Sequence, residues 1–561
     1  MTLPSGYAFL RKALFVLIVL AAAVEFIAPL FVKTLASDGP AALKWIDAFA
    51  QQLRSGVLWP RWLPDSYAGL GSPTFYFYPP VAYYAAGMVR LFLPSTQVLT
   101  IYIISGYIAT LASIASFYAL SSQFTTDAKT RWASSLIYGF APYHVFVLIS
   151  RGGLSEHFAF IWPPLILLGL YRILRSEKPR AKDIALCSIA VALLVMTHLP
   201  SFVVVSIAVI LPLLVIEWRN RNLAWAIGAL CIGCLIAAPY LFPIIAFAKY
   251  VQLGRLSLDP ERPFDALRGI AIIASGADFT ENAQILIGYF GMVLCAIFLF
   301  IYLRRSKEQR STLIAILAMC VTIIFFQNAA ISRPLWLLLR LNQTVQFTYR
   351  WLIAGCLVVA SAFAILSRRD AEHRIAPSII LWTSAAIFFA LLQIFGLRAH
   401  PFNTPWTPYD PAEYAPASAS GDRLEVIRFA TEHANDPFLV TSDTTLTSLD
   451  LHPSGLMITD SISATHPTKV TLHHWYWPEW VASSEGKDTL TQLPDSNGRA
   501  TLVLPAGHYR LKYALQTSSI EKLSYWVFGA GVLALLLTAI LLRPKRRPGD
   551  SHKLRVIGDQ C

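Results

Sequence analysis

Long apolar runs alternate with short polar segments over most of the chain. Each run has about 17–25 residues, enough for a helix to cross the roughly 30 Å hydrocarbon layer of a bilayer. The pattern predicts a mainly α-helical polytopic membrane protein with about twelve spans. We place them at 13–32, 98–120, 132–149, 158–172, 183–197, 201–217, 222–247, 285–303, 311–329, 350–367, 376–396 and 523–542. The first run has an apolar core of about 18 residues, longer than that of a signal peptide, so we expect an uncleaved anchor.

A long polar segment, 397–522, separates the last two apolar runs. It contains short β-type runs at 469–473 and 500–504, with turn signals at 495–498 and 505–507. This spacing predicts a small antiparallel β-sandwich. We therefore divide the chain into a transmembrane domain (1–396, with a loop at 33–97 after the first span), a β-rich domain (397–522), and a final helix with a basic tail (523–561).

Composition supports the membrane interpretation. Of the 561 residues, 55% are hydrophobic and only 14% are charged, whereas soluble domains carry about 25% charged residues. A soluble enzyme is excluded. The net charge of +13 comes from Lys and Arg that crowd into short segments between apolar runs. This placement is typical of cytoplasmic loops, so we predict no nucleic-acid partner.

The basic clusters also predict orientation. All of them fall on the cytoplasmic side, together with both termini, if the apolar stretch Pro79–Leu93 does not cross the membrane. We therefore predict that Pro79–Leu93 is a re-entrant or interfacial helix, because its prolines, tyrosines and Arg90 suit the headgroup zone. The 33–97 loop and the β-rich domain then face the outer side of the membrane.

Polar residues gather at the predicted outer ends of the spans. Asp38 follows the first span, where a carboxylate can act as a general base; the alternative is a helix N-cap ahead of residues 41–45. Arg151 and Glu156 lie between two apolar helices, where a guanidinium can bind phosphate; the alternative is an ion pair at the interface. His198 and Arg350 lie at the same depth, with a structural histidine and a snorkelling arginine as alternatives.

This set of residue types fits a lipid phosphate as leaving group. Arginines would stabilise the charge that develops on the phosphate, while a carboxylate removes the proton from the attacking hydroxyl. Inversion at the sugar carbon would follow from a single displacement. These residue types are compatible with a mechanism with or without a divalent metal, and they do not identify the sugar or the acceptor.

Several motifs resemble one protein family. They are Asp38, residues 56–65 and 69–80, Arg151-Gly152 with Glu156, Thr197-His198, Gln346-Phe347 with Arg350, Trp477-Pro-Glu-Trp480, and Pro505 to His508. In these segments the sequence resembles bacterial membrane proteins of the GT-C glycosyltransferase superfamily, in particular the YfhO-like and 6-pyruvoyl-tetrahydropterin-synthase-related membrane proteins. The resemblance implies a GT-C-like fold, a sugar donor linked to polyprenyl phosphate, and an envelope glycan, glycolipid or protein as acceptor.

The resemblance implies a role for Asp38, and we assign roles to other residues from their chemistry and position. By position, Asp38 matches the acidic residue that the superfamily uses as base. With Glu156, which would orient the substrate, Asp38 forms our predicted catalytic pair. Arg151, Arg350 and His198 would bind the donor phosphate. A further set would bind acceptor or substrate: Arg61, Asp65, Tyr83 and Trp477. The relatives carry a histidine four residues after the aspartate, where this chain has Ala42, and this departure weakens the case for a metal.

Two other classes of function compete with a glycosyltransferase. A transporter or flippase for lipid-linked sugars would place its polar site near the bilayer midplane, on interrupted helices. A non-catalytic protein of an envelope-assembly complex would follow if the departure at Ala42 means lost activity. The polar clusters at one predicted face favour the enzyme.

Overall fold

The computed structural model describes residues 5–32, 35, 38–149, 151–251, 291–303, 310–367, 439–440, 444–452, 454–484 and 489–542. The predicted span 376–396 and the start of the predicted β-rich domain lie outside these ranges. The domain boundary at 397 therefore stays a prediction.

The described part of the chain is mainly helical. Its first helices are α1 (Ser5–Ile27), α2 (Gly39–Arg54), α3 (Thr74–Phe77), α4 (Val81–Phe92), α5 (Val98–Ser121), α6 (Ala128–Gly139), α7 (Pro142–Ile149), α8 (Leu154–Ala159), α9 (Trp162–Arg175) and α10 (Ala181–Val195). The later ones are α11 (Leu199–Val205), α12 (Leu211–Ile216), α13 (Leu223–Ile236), α14 (Ala238–Phe247), α15 (Gly291–Leu303), α16 (Arg310–Gln327), α17 (Ala329–Leu338), α18 (Leu341–Thr344), α19 (Leu352–Leu366) and α20 (Ser519–Leu541). A π-helical turn (Ser206–Ile210) joins α11 to α12, and short 3₁₀ turns occupy Ala28–Phe31, Ala248–Tyr250 and Thr348–Trp351.

Seven helices in the described ranges are long and apolar enough to cross a membrane, and a bent pair makes up to eight. The chain is a multi-pass membrane protein. The prediction of about twelve spans is not confirmed, because some predicted spans correspond to shorter helices. The run at 183–197 forms the 15-residue helix α10, and within α1 the apolar stretch is limited to Lys12–Val24.

The predicted span 222–247 is not one straight helix. Its two halves, Leu223–Ile236 and Ala238–Tyr250, are bent by 64°. The second half begins with a proline in its first turn, Pro239, and proline lacks the N–H that would continue the hydrogen bonds of the preceding helix. Hydrophobic periodicity does not reveal this break, because both halves are apolar.

The stretch Pro79–Leu93, which the placement of basic clusters predicted not to span, contains only a short helix. α4 has 12 residues, which corresponds to about 18 Å at 1.5 Å per residue. That length is well below the roughly 30 Å of a hydrocarbon layer. As a straight helix, Val81–Phe92 is therefore too short to cross the layer, and the topology of this stretch stays a prediction.

The predicted antiparallel sheets are present. The strands are β1 (Leu439–Val440), β2 (Thr444–Leu451), β3 (Met457–Ala464), β4 (Thr468–Trp475), β5 (Trp480–Ser484), β6 (Gln492–Pro494), β7 (Arg499–Leu504) and β8 (Gly507–Leu515). They form two four-stranded sheets, ordered β1-β4-β7-β6 and β2-β3-β8-β5. Ile458 and Tyr513 of one sheet share a buried apolar cluster with Val470 and Leu502 of the other, so the sheets enclose one core.

Residues 61–78 are packed against this β-sandwich. Trp475 donates its backbone N–H to Leu70 O at 2.9 Å, and His473 Nε2 lies 3.0 Å from Ala68 O. The Trp62 ring stacks on His474 with centroids 4.9 Å apart. The loop after α2 and the β-sandwich therefore share a core, although hundreds of residues separate them in sequence.

Gly71 lies at a close approach inside this contact, and we expect Gly71→Ala to destabilise the protein more than Gly56→Ala. Both glycines have left-handed backbones, with φ of +83° and +85°, so either alanine should cost about 1–2 kcal/mol of strain. A Cβ on Gly71 would also lie 2.4 Å from Trp62, whereas one on Gly56 meets nothing within 4 Å. Overpacking should add about 1–3 kcal/mol. Thermal unfolding in detergent measures the difference; equal losses would contradict the close packing of Trp62.

Candidate active site

A tight turn between α7 and α8 places the first pair of candidate residues. Arg151 donates its backbone N–H to Phe146 O at 3.0 Å, and Gly153 donates to Val147 O at 2.9 Å. Gly152 has φ of +69°, the left-handed conformation that glycine adopts without a steric penalty. The turn brings Arg151, which precedes α8, and Glu156, in the first turn of α8, into the same buried region.

Glu156 is the centre of the site. Its side chain is 2% exposed, and Oε2 lies 3.6 Å from Arg151 Nε and 3.4 Å from Arg350 Nε. Its other oxygen, Oε1, accepts a hydrogen bond from the Tyr143 hydroxyl. One buried carboxylate therefore holds two guanidinium groups and is itself fixed by a phenol.

Arg350 reaches this carboxylate from the turn Thr348–Trp351. Its Nη1 donates to Val345 O at 2.7 Å and to Gln346 Oε1 at 3.0 Å. Gln346 has φ of +67°, an uncommon conformation for a residue with a side chain. The preceding loop thus cradles the guanidinium, which supports a fixed position inside the bundle.

Asp38 pairs with Arg151 from the other side. Its Oδ2 accepts from Arg151 Nη2 at 3.1 Å, and its backbone N–H donates to Arg151 O at 3.0 Å. Asp38 does precede α2, but its side chain makes no capping hydrogen bond. The N-cap alternative therefore does not describe the carboxylate, which faces an arginine instead.

The electrostatics of Arg151 keep its charge in place. Burial lowers the pKa of the Arg151 guanidinium, but the carboxylates of Asp38 and Glu156 outweigh that effect and raise it overall. The two arginines and two carboxylates balance in formal charge. The carboxylates differ in access, because the Asp38 side chain is 41% exposed and that of Glu156 is 2% exposed.

Aromatic residues that the sequence reasoning missed complete the site. The Phe347 ring lies against both guanidinium groups, 4.8 Å from Arg151 Cζ and 5.1 Å from Arg350 Cζ. Tyr349 accepts a hydrogen bond from Arg151 Nη1. Phe347 and Tyr349 lie in the same sequence motif as Arg350, so their closeness to Arg350 in the sequence could have identified them as site residues. No sequence signal marks Tyr143.

His198 joins the site as a neutral side chain. Burial lowers its pKa to about 3, although the Glu156 carboxylate raises it in part, and Arg350 and Arg151 lower it further. Nδ1 accepts from the backbone N–H of Ser201 at 3.3 Å, which places the ring proton on Nε2. His198 thus offers an N–H donor, and no positive charge, at neutral pH.

The site residues do not fit a metal ion. Asp38 and Glu156 are each paired with arginine, and arginine competes with a cation for carboxylate oxygens. Within the described ranges, no group of three or more His, Cys, Asp or Glu residues is arranged to hold a metal. We therefore derive no chemical step through a metal.

Arg61 and Trp477, two of the residues predicted to bind the acceptor, belong to a different cluster. Arg61 forms ion pairs with Glu479, at 3.6 Å, and with Glu521 at the start of α20. Tyr76 donates to the same Glu479, and its ring lies 5.2 Å from that of Trp477. Burial raises the pKa of Glu479. Arg61 thus joins the first loop, the β-sandwich and the last membrane helix.

The remaining predicted residues are placed as follows. Trp477, like Trp475 and Trp480, is buried in the sandwich core. Tyr83 is buried on α4 with its ring 5.7 Å from that of Tyr78, and Tyr78 is coupled electrostatically to Arg151. Asp65 is exposed on the loop. The structure brings together Asp38, Arg151, Glu156, Arg350 and His198, and it places Arg61 and Trp477 in the second cluster.

No family model and no curated protein matches the sequence. Among similar solved structures, the arabinofuranosyltransferase AftD from mycobacteria is 15% identical, over 69% of this chain and 27% of AftD, with a TM-score of 0.42. ArnT from Cupriavidus metallidurans, bound to undecaprenyl phosphate, is 14% identical, over 68% of this chain and 64% of ArnT, with a TM-score of 0.41. The Archaeoglobus fulgidus oligosaccharyltransferase in its apo form is 13% identical, over 70% of this chain and 56% of that protein, with a TM-score of 0.40. In each case the chain covers less than two thirds of the other protein's length.

Proposed function

We propose that this chain is a membrane glycosyltransferase of the GT-C type. It transfers a sugar from a polyprenyl-phosphate donor to an envelope glycan, glycolipid or protein on the outer face of the inner membrane. The observation that carries the proposal is the pairing of two buried arginines on Glu156 beside the half-exposed carboxylate of Asp38. The sequence resemblance at the same positions adds to it.

The two arginines supply what a phosphate leaving group needs. When the bond between the sugar carbon and the phosphate oxygen breaks, its electron pair goes to the phosphate, whose negative charge increases. Fixed guanidinium groups in a site with little water stabilise that charge without reorganising. Glu156, Tyr143 and Phe347 hold the two guanidinium groups in place before the substrate arrives.

Asp38 takes the complementary role at the acceptor. The acceptor hydroxyl attacks the sugar carbon from the side opposite the phosphate and transfers its proton to the Asp38 carboxylate. The new bond forms as the old one breaks, so the configuration at the sugar carbon inverts. His198, which is neutral, would donate its Nε2 hydrogen to a substrate oxygen.

The phosphate role of Arg151 is tested by Arg151→Ala. Purified protein in detergent is given undecaprenyl-phosphate-linked radiolabelled sugar and a panel of envelope acceptors, and free undecaprenyl phosphate is measured. We expect wild-type protein to release it only with acceptor, and Arg151→Ala to lose about 100-fold or more in rate, as for other lost oxyanion donors. The matched control is Arg90→Ala, because Arg90 pairs with Asp47 at 2.7 Å, away from the site.

Each result assigns the chain to a class. An unchanged rate in Arg151→Ala would refute the phosphate role. Movement of the labelled lipid across vesicle membranes without release of undecaprenyl phosphate would identify a flippase instead. The absence of both transfer and movement with every donor and acceptor would favour a non-catalytic assembly protein.

A further inference from the structure

Arg151 contacts the half-exposed carboxylate of Asp38. Nη2 donates to Asp38 at 3.1 Å, while Nε faces Glu156 at 3.6 Å and Nη1 donates to Tyr349. Each guanidinium nitrogen thus has a partner nearby, although Nη1 and Nη2 each carry a second N–H. A phosphate that binds at Nη2 competes with Asp38 for that nitrogen, and its negative charge opposes that of the carboxylate.

The three partners differ in how easily they leave. Glu156 is 2% exposed and also faces Arg350, so its removal would strand two buried cations, at a large cost. Tyr349 is held by a stacked ring, Phe347, with centroids 4.9 Å apart. The Asp38 side chain is 41% exposed, and a half-exposed ion pair contributes about 1 kcal/mol or less. Asp38 is the partner that exchanges at the lowest cost.

From this arrangement we infer that the donor phosphate displaces Asp38 from Arg151, and that this displacement frees the carboxylate to act as base. The inference rests on the proposed function and adds an order of events. While Asp38 Oδ2 accepts a hydrogen bond from Arg151 Nη2, that oxygen is not available to accept a proton. Once phosphate replaces the carboxylate on Arg151, both Asp38 oxygens lie free beside the bound lipid phosphate.

The backbone supports an exchange confined to the side chain. Asp38 N–H donates to Arg151 O at 3.0 Å, and Asp38 O accepts from Ala42 N–H at 3.0 Å. These bonds hold the Asp38 backbone beside the site while the carboxylate rotates about its own χ1 angle.

Binding of undecaprenyl phosphate to the full-length protein tests the displacement. We expect Asp38→Asn to lower the dissociation constant about fivefold, the ratio that corresponds to the loss of a half-exposed ion pair. Asp47→Asn is the matched control, because Asp47 lies in α2, the helix that follows Asp38, is 45% exposed and pairs with one arginine, Arg90. A gain in affinity is not an effect that misfolding would produce.

Infrared difference spectra provide a second measurement. Undecaprenyl phosphate should shift a carboxylate stretching band in wild-type protein and in Asp47→Asn, and the shift should be absent from Asp38→Asn. If Asp38→Asn binds no more tightly, or if the band shift persists in it, the displacement is wrong. The phosphate site itself is judged separately by Arg151→Ala. Weaker binding in that variant keeps the proposed function, and unchanged binding removes both proposals.

Discussion

Asp38→Asn should lower the rate of sugar transfer by about 10²–10⁴-fold, the usual contribution of a general base. The amide retains the size of the carboxylate and can still accept a hydrogen bond from Arg151 Nη2, but it cannot take the proton of the acceptor hydroxyl. Its side chain is 41% exposed, so the loss of the ion pair should cost at most about 1 kcal/mol of stability. Transfer should therefore fall while the unfolding temperature stays near that of wild type.

The measurement is the release of undecaprenyl phosphate per enzyme, with unfolding followed in the same detergent. Asp47→Asn serves again as control and should transfer at the wild-type rate, because Asp47 contacts Arg90 and not the site. Transfer undiminished in Asp38→Asn would refute the base assignment. Tighter binding of undecaprenyl phosphate combined with slow transfer in this variant would support both roles of Asp38.

Glu156→Gln should destabilise the protein by about 3–5 kcal/mol, the range for breaking a buried ion pair. The substitution leaves Arg151 and Arg350 buried, with their Nε atoms facing a neutral amide in place of a carboxylate. Asp38 is the only other carboxylate among the described contacts of Arg151, and it is half exposed. Because both guanidinium groups lose their shared anchor, donor binding should weaken as well.

Thermal unfolding in detergent measures the effect on stability. Glu217→Gln is a suitable control, because Glu217 pairs with Arg175 at 2.9 Å where the arginine side chain is 40% exposed. That variant should lose about 1 kcal/mol or less. A loss in Glu156→Gln no larger than in the control would mean that Glu156 does not hold the two arginines together.

Periodicity and turn signals predicted secondary structure well where local sequence is decisive. The runs at 98–120 and 523–542 correspond to Val98–Ser121 and Ser519–Leu541, and the turn signal at 495–498 joins β6 to β7. The span count and the bend at Ala237 were not predictable in the same way. An apolar sequence is equally compatible with a straight helix, a bent helix and a short buried helix.

The candidate site was predicted residue by residue, although not as a set of contacts. Asp38, Arg151 and Arg350 stood out because charged side chains next to apolar runs are costly unless they have a partner. Arg151 and Arg350 meet on Glu156, and Asp38 joins them through Arg151. These contacts join segments that are distant in sequence, and nothing local encodes them. Arg61 carried the same signal, and the structure pairs it with Glu479 and Glu521 instead.

The sequence by itself determined that this is a polytopic membrane protein with a β-sandwich before its last helix. Hydrophobic length, alternation and charge placement act locally, and they decide which segments avoid water. Tertiary structure alone decided which charges share a site and which form ion pairs between the first loop, the sandwich and the membrane helices. The physical reason is that a buried charge must find a countercharge, but which countercharge it meets depends on how the helices pack.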